Sequence, residues 1–180
     1  MNKNKLVVLL VISFVIFAIH TVRSQSKPLK VGDAIPSFAL KDQNGNDFNI
    51  DTYRGKKIMV IYFYPKDDTP GCTKEACSFR DTYESFTDLD VLVIGISADN
   101  IASHKKFEEK YKLPFTLLAD VTNTVRKQFG VSKDLMVLPG RVTFVVNKQG
   151  VISSIFNNLK AEQHVEKSLE IIKKWNAKKD

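Results

Sequence analysis

The chain has 180 residues, 43% of them apolar, and a formal net charge of +7. This length and composition fit one globular domain with its own core. Residues 1–24 hold three of the 27 basic residues and none of the 20 acidic ones, so the remainder carries only +4. The basic residues are dispersed, and no stripe of arginines and aromatics marks a nucleic-acid surface, so we do not expect nucleic-acid binding.

The first 24 residues have the features of a targeting segment. Two lysines precede an apolar run over residues 6–19, and small residues follow at Val22 and Ser24. This pattern predicts a signal peptide over residues 1–24 and a mature domain over residues 25–180. A helix of 14 residues rises only about 21 Å, short of a bilayer core of about 30 Å. We therefore expect export to a periplasmic or extracellular location and no stable membrane association after cleavage, with an uncleaved anchor as the alternative.

The rest of the chain alternates strand and helix patterns. In chain order, it predicts a short strand within residues 45–55, a buried strand at 57–65, a helix at 73–89 and a second buried strand at 91–99. A helix capped by Asn100 follows at 100–112, then a strand at 115–120, a short helix at 122–130, a hairpin at 141–158 and an amphipathic helix at 161–175. The fold class is therefore α/β, with a mixed central sheet flanked by helices.

The two cysteines of the chain, Cys72 and Cys77, lie five residues apart at the start of the 73–89 helix. In an intact α-helix such residues have Cα atoms about 8.7 Å apart, whereas a disulfide needs about 7 Å or less. A bridge would therefore unwind the helix, which suits a catalytic cycle better than a structural staple. The spacing is not the C-x-x-C of exchange enzymes, and no histidine cluster suggests a metal.

Several residues near Cys72 could support a reactive thiolate. A helix N-terminus offers partial positive charge and unpaired N–H groups. Thr69 has a hydroxyl that could bond the sulfur and an incoming oxygen, and Pro65 stiffens the approach. Arg141, at the start of the hairpin, could supply a cation. From the residues alone, Thr69 is equally a turn residue, Pro65 a strand terminator, and Arg141 a surface charge.

The segment "FYPKDDTPGCTKEACSFRD" resembles the active-site segment of the peroxiredoxins, specifically the Q-type, bacterioferritin-comigratory group. The family pattern of proline, threonine and cysteine is matched by Pro65, Thr69 and Cys72. Further similar stretches are "VGDAIPSFAL", "VIGISAD", "KYKLPFTLLAD" and "PGRVTFVV", so the similarity covers nearly the whole mature chain. The resemblance implies a thioredoxin-like fold with peroxiredoxin-type additions.

The resemblance also implies a function. The expected enzyme is a thioredoxin-dependent peroxidase for hydrogen peroxide and organic hydroperoxides, serving antioxidant defence and needing no metal or organic cofactor. Cys72 would be the peroxidatic cysteine and Cys77 the resolving one, joined in an intramolecular disulfide. Thr69 and Arg141 would orient the peroxide, and Pro65 would shield the sulfur. Glu75 would help to organise the site. A thioredoxin-like protein would reopen the disulfide, and the protein would be a monomer.

Two features depart from the commonest form of the group. The stretch 131–140 lacks an acidic insertion seen in some relatives, and the export signal is unusual. Two other functions stay open: an exported thiol–disulfide exchange protein, and a disulfide-stapled binding domain without catalysis. His104 and His164 are interpreted as surface or helix residues.

Overall fold

A computed structural model describes residues 28–131, 133–134, 138–158 and 160–177. The signal peptide predicted for residues 1–24 lies outside these ranges, and so does part of the 131–140 stretch.

A seven-stranded mixed sheet forms the centre of the molecule. Its order is β2-β1-β5-β4-β3-β8-β9. β3 pairs in parallel with β4, and β4 with β5, whereas the other four pairings are antiparallel. A separate ribbon joins β6 and β7. The strands are β1 (Ala39–Asp42), β2 (Asp47–Asn49), β3 (Ile58–Phe63), β4 (Val91–Ser97), β5 (Thr116–Ala119), β6 (Lys133–Asp134), β7 (Leu138–Pro139), β8 (Val142–Val146) and β9 (Ile152–Asn157).

Among the described residues, five α-helices accompany the sheet. They are α1 (Pro70–Asp81), α2 (Tyr83–Thr87), α3 (Ile101–Tyr111), α4 (Thr124–Gln128) and α5 (Ala161–Asn176). The predicted cap of α3 is confirmed, because the Asn100 side chain accepts from the backbone N–H of Ser103 at 2.9 Å. The single helix predicted over residues 73–89 is wrong in one respect, because it breaks at Thr82. The Thr82 hydroxyl donates to the Ser78 carbonyl at 2.7 Å and competes there with the helix backbone.

The core lies on both faces of the sheet. All six residues of β3 are buried, which explains their continuous apolar run. Alternate residues of this strand belong to two apolar clusters. One cluster includes Phe79 of α1, Phe107 of α3 and Ile172 of α5, so these helices cover that face. Within the described ranges, the structure contains no helix both long and apolar enough to cross a bilayer.

Candidate active site

Cys72 is the third residue of α1 and lies under the protein surface. Helix α1 begins at Pro70, where a missing N–H costs nothing, and Thr69 is its N-cap in extended conformation. The Cys72 side chain belongs to the apolar cluster and the residue is 2% exposed. Its sulfur therefore combines exclusion from water with the partial positive charge of a helix N-terminus.

Arg141 supplies a cation to this sulfur. It immediately precedes β8, it is buried, and its Nη2 donates to Cys72 Sγ at 3.3 Å. A Cβ atom on Gly71 would lie 3.3 Å from the same Nη2, so the glycine leaves room for the guanidinium to approach. The structure thus overturns the surface-charge interpretation of Arg141 and brings together two residues that are 69 positions apart.

Glu75 lies behind the guanidinium, one helical turn after Cys72. Its carboxyl group accepts from Arg141 Nη1, and both side chains are buried. Burial raises the pKa of Glu75 to about 8, although the positive charge of Arg141 acts in the opposite direction. A protonated Glu75 leaves the positive charge of Arg141 uncompensated and directed at the neighbouring sulfur.

His164 of α5 completes this buried cluster. Of its interpretation as a surface or helix residue, the helix part is confirmed and the surface part is wrong. It is fully buried, and its Nδ1 lies 2.8 Å from the Thr143 hydroxyl and 3.6 Å from Glu75 Oε1. Its Nε2 is 3.0 Å from the Asn158 carbonyl, which can only accept, so Nε2 carries the proton. Burial lowers the pKa of His164. The sequence pattern indicated this burial, because His164 shares the apolar face of the helix with Ala161 and Val165.

The loop between β3 and α1 carries Pro65 and Thr69. Pro65 is half-buried and lies two residues after the end of β3. The Thr69 hydroxyl donates to the Lys66 carbonyl at 3.0 Å, so its oxygen can still accept a bond but its proton is engaged within the loop. The structure therefore brings both residues to the start of α1.

Asp67 anchors this loop to α3. Its carboxylate accepts from the Tyr64 hydroxyl at 2.7 Å, from the Ser103 hydroxyl at 2.8 Å and from His104 Nδ1 at 2.9 Å. His104 is also fully buried, so of its interpretation as a surface or helix residue only the helix part is confirmed. It lies about one helical turn before Phe107, on the inner face of α3. This spacing in the sequence already indicated that the two residues share a face.

Arg126 is a further residue that sequence reasoning missed. It is buried, and its guanidinium donates to the carbonyl of Gly140 at 2.8 Å and to that of Tyr64 at 2.7 Å. It therefore ties the backbone next to Arg141 to the start of the Pro65 loop. Nothing in the local sequence distinguishes this arginine from a solvated one on a short helix.

Cys77 is half-buried on the same helix as Cys72, and both thiols are free. The helix is intact over residues 70–81, so a disulfide between them requires local unwinding. Among the described residues, no three His, Cys, Asp or Glu side chains cluster closely enough to hold a metal ion.

Comparison with known proteins identifies the family. The model of the AhpC/TSA family matches residues 31–155. The chain belongs to the AhpC/TSA family. Within this family it is 52% identical over 143 residues to peroxiredoxin Q, chloroplastic, of Oryza sativa subsp. japonica. That match covers 78% of this chain and 65% of the rice protein, so the chain spans slightly less than two thirds of this relative's length. The resemblance to Q-type peroxiredoxins is confirmed.

Solved structures of family members share the fold. Peroxidoxin BcpB from Mycobacterium tuberculosis superimposes with a TM-score of 0.75 at 34% identity, covering 81% of this chain and 97% of that one. The bacterioferritin comigratory protein of Xanthomonas campestris gives a TM-score of 0.72 at 27% identity, covering 78% and 98%. The predicted thioredoxin-like fold with a mixed sheet is confirmed.

The predicted location of this AhpC/TSA protein is wrong. Plant relatives at 50–54% identity, including those of Populus jackii and Arabidopsis thaliana, are chloroplastic, which contradicts export to a periplasmic or extracellular space. The basic, acid-free N-terminus and its apolar run were interpreted as an export signal. A basic segment without acidic residues is equally typical of organelle transit peptides, so composition did not decide the destination.

Proposed function

We propose that this chain is a thiol peroxidase that reduces hydrogen peroxide and organic hydroperoxides through Cys72. The observation that carries the proposal is the 3.3 Å contact between Arg141 Nη2 and the buried Cys72 Sγ in the first turn of α1. A cation and a helix dipole aimed at one sulfur favour the thiolate, which is the nucleophilic form of cysteine. The relatives are peroxiredoxins, and the Xanthomonas protein has alkyl peroxide reduction activity.

In the proposed reaction, the Cys72 thiolate attacks one oxygen of the peroxide. The O–O bond breaks, Cys72 becomes a sulfenic acid, and the other oxygen leaves as water or an alcohol after taking a proton. Arg141 and the Thr69 oxygen orient the peroxide, and the guanidinium stabilises negative charge on the leaving oxygen. Pro65 limits the access of water to the sulfur.

The second step joins the two cysteines. The Cys77 thiol attacks the sulfenic sulfur, and a Cys72–Cys77 disulfide forms with release of water. Helix α1 unwinds for this step because its intact geometry holds the sulfurs apart. A dithiol protein of the thioredoxin type then reduces the disulfide by exchange.

Stopped-flow oxidation of the reduced protein by hydrogen peroxide tests the proposal. We expect Cys72→Ser to abolish peroxide consumption, and Cys77→Ser to preserve the first oxidation but prevent recycling by thioredoxin. Arg141→Ala should slow the first oxidation by about 100-fold, the typical cost of one stabilising donor.

The same experiment separates the alternatives. Equal loss of the first oxidation in both cysteine variants would refute the assigned roles. A wild-type protein that reacts with peroxide no faster than free cysteine, yet rapidly with protein disulfides, would instead identify an exchange protein.

For the whole protein, we propose that residues 1–24 are a targeting segment that is removed, that residues 25–180 form the mature peroxiredoxin domain, and that this domain is a monomer. The chloroplastic relatives make a plastid the destination to test first. A monomer is expected because both reacting cysteines belong to one helix of one chain.

A further inference from the structure

Asp68 has an unusual backbone conformation at a critical point of the chain. Its φ is 54°, in the left-handed region that side-chain-bearing residues rarely adopt. It directly precedes Thr69, the N-cap of α1, and is four residues from Cys72. A strained residue at the edge of a segment that must unwind is well situated to be its hinge.

The end of α3 holds the Asp68 side chain in this conformation. Lys110 Nζ contacts its two carboxylate oxygens at 2.6 and 2.8 Å, and the Tyr111 hydroxyl donates to one of them at 2.5 Å. These partners lower the pKa of Asp68. The contacts lie on the surface, so each contributes modestly, but three converge on one carboxylate.

The same turn of α3 also holds the other side of the two-cysteine segment. Arg80 Nη1 donates to the Tyr111 carbonyl at 2.8 Å. Arg80 lies three residues after Cys77, near the end of α1. Both cysteines therefore lie between two points that are fastened to one residue, Tyr111.

The chain before Asp68 is fixed more firmly. Asp67 is buried, and besides its bonds to His104 and Ser103 its backbone N–H donates to Asp99 at 2.9 Å. Movement during unwinding therefore begins at Asp68, since the residue before it is bound on several sides and Asp68 itself is held only at the surface.

We propose that the last turn of α3, formed by Lys110 and Tyr111, is a clamp that keeps α1 helical by holding Asp68 and Arg80, and that its release sets how readily Cys72 reaches Cys77. This inference rests on the proposed peroxidase cycle. The clamped state keeps Cys72 beside Arg141 for reaction with peroxide. The released state lets Asp68 relax and lets Cys72–SOH and Cys77–SH condense to a disulfide and water.

A loosened clamp should have opposite effects on the two steps. Oxidation of Cys72 should become slower, because less of the protein is in the helical state. Disulfide formation should become faster, because unwinding is easier. Less sulfinic acid should accumulate at high peroxide, since the sulfenic acid is consumed sooner.

Asp68→Asn and Asp90→Asn form a matched pair for the test. Asp90 also has a left-handed φ, of 58°, and binds two lysines, Lys57 and Lys148, but it precedes β4 at the opposite end of the sheet. Asparagine tolerates the left-handed conformation, so each change removes mainly the charge. Stopped-flow mixing with hydrogen peroxide measures both steps, and mass spectrometry measures sulfinic acid.

We expect Asp68→Asn to speed disulfide formation by about threefold, the scale of a surface ion pair. Oxidation should slow by a smaller factor, because the helical state remains the major one. Asp90→Asn should leave both rates at the wild-type value. Equal behaviour of the two variants, or changes of the same direction in both steps, would overturn the clamp. A wild type that fails to consume peroxide would refute the proposed function instead.

Tyr111→Phe provides a second test, should Asp68→Asn fold poorly. It removes only the hydroxyl bonded to Asp68. Tyr53→Phe is its control, because it removes a tyrosine hydroxyl far from the clamp. Tyr53 precedes the start of β3, at the end of that strand opposite the Pro65 loop, and its ring stacks on Phe48. The same opposite shifts are expected in Tyr111→Phe alone, and their absence would also overturn the clamp.

Discussion

At the scale of single residues, the charge beside Cys72 is set by a buried pair. Arg141 lies between the Cys72 sulfur and the Glu75 carboxyl group, and burial raises the pKa of Glu75 to about 8. Near neutral pH a protonated Glu75 acts as a polar anchor that holds the guanidinium without cancelling its charge. The full charge of Arg141 is then directed to the thiolate.

This arrangement predicts a pH-dependent stability. Unfolding exposes Glu75, whose pKa returns to about 4.5, so the folded state binds more protons between about pH 4.5 and 8. The contribution of Glu75 to stability is therefore fully present at low pH and is lost as pH rises through about 8. Relative to Glu75→Gln, the wild type should lose free energy of unfolding, on the order of several kcal/mol, over this range.

Urea denaturation of both proteins, with the thiols reduced, at pH 5 and pH 8.5 measures this difference. Titrating groups remote from Glu75 are common to both proteins and cancel in this comparison. A wild type that gains stability over Glu75→Gln as pH rises would mean that Glu75 is ionised in the folded protein.

At the scale of elements, α1 combines two demands that conflict. It must be helical to hold Cys72 beside Arg141, and it must unwind to join Cys72 to Cys77. Its second residue, Gly71, is a poor helix former, and its interior is held by packing of Ala76 and Phe79 in the core cluster. An ion pair between Lys74 and Glu162 connects it to α5. The helix is thus stabilised by its neighbours rather than by its own sequence.

Hydrogen exchange should detect the unwinding. In the disulfide form, we expect the backbone amides of residues 73–77 to exchange faster than in the reduced form, because their helical bonds are lost. The amides of β4, at the centre of the sheet, should keep their protection. Cys72→Ser exposed to the same peroxide is the control and should show no change. Unaltered protection across α1 in the disulfide form would contradict the required unwinding.

At the scale of the whole molecule, the sheet determines where the site forms. β3 and β8 are antiparallel neighbours, with Phe63 opposite Val142, so the end of β3 and the start of β8 lie side by side at one end of the sheet. The Pro65 loop follows the end of β3, and Arg141 immediately precedes the start of β8. Every residue of the proposed site therefore comes from one chain.

Native mass spectrometry of the protein recovered from its source tests the proposals for the whole chain. Together, the proposed removal of residues 1–24 and the proposed monomer predict a single species with the mass of residues 25–180. A mass that retains residues 1–24 would refute their removal. A stable dimer at micromolar concentration would refute the monomer.

The sequence alone determined the alternation of strands and helices, because apolar periodicity is a local property. It also determined that both cysteines share one helix, and the Pro65–Thr69–Cys72 pattern identified the family. It did not determine the destination of the protein, since basic N-terminal segments of different targeting routes are alike in composition. Only the tertiary structure decided that Arg141 faces Cys72 and that His104 and His164 are buried. Those contacts join residues far apart in sequence through the pairing of β3 with β8 and the packing of helices on the sheet, which no local pattern encodes.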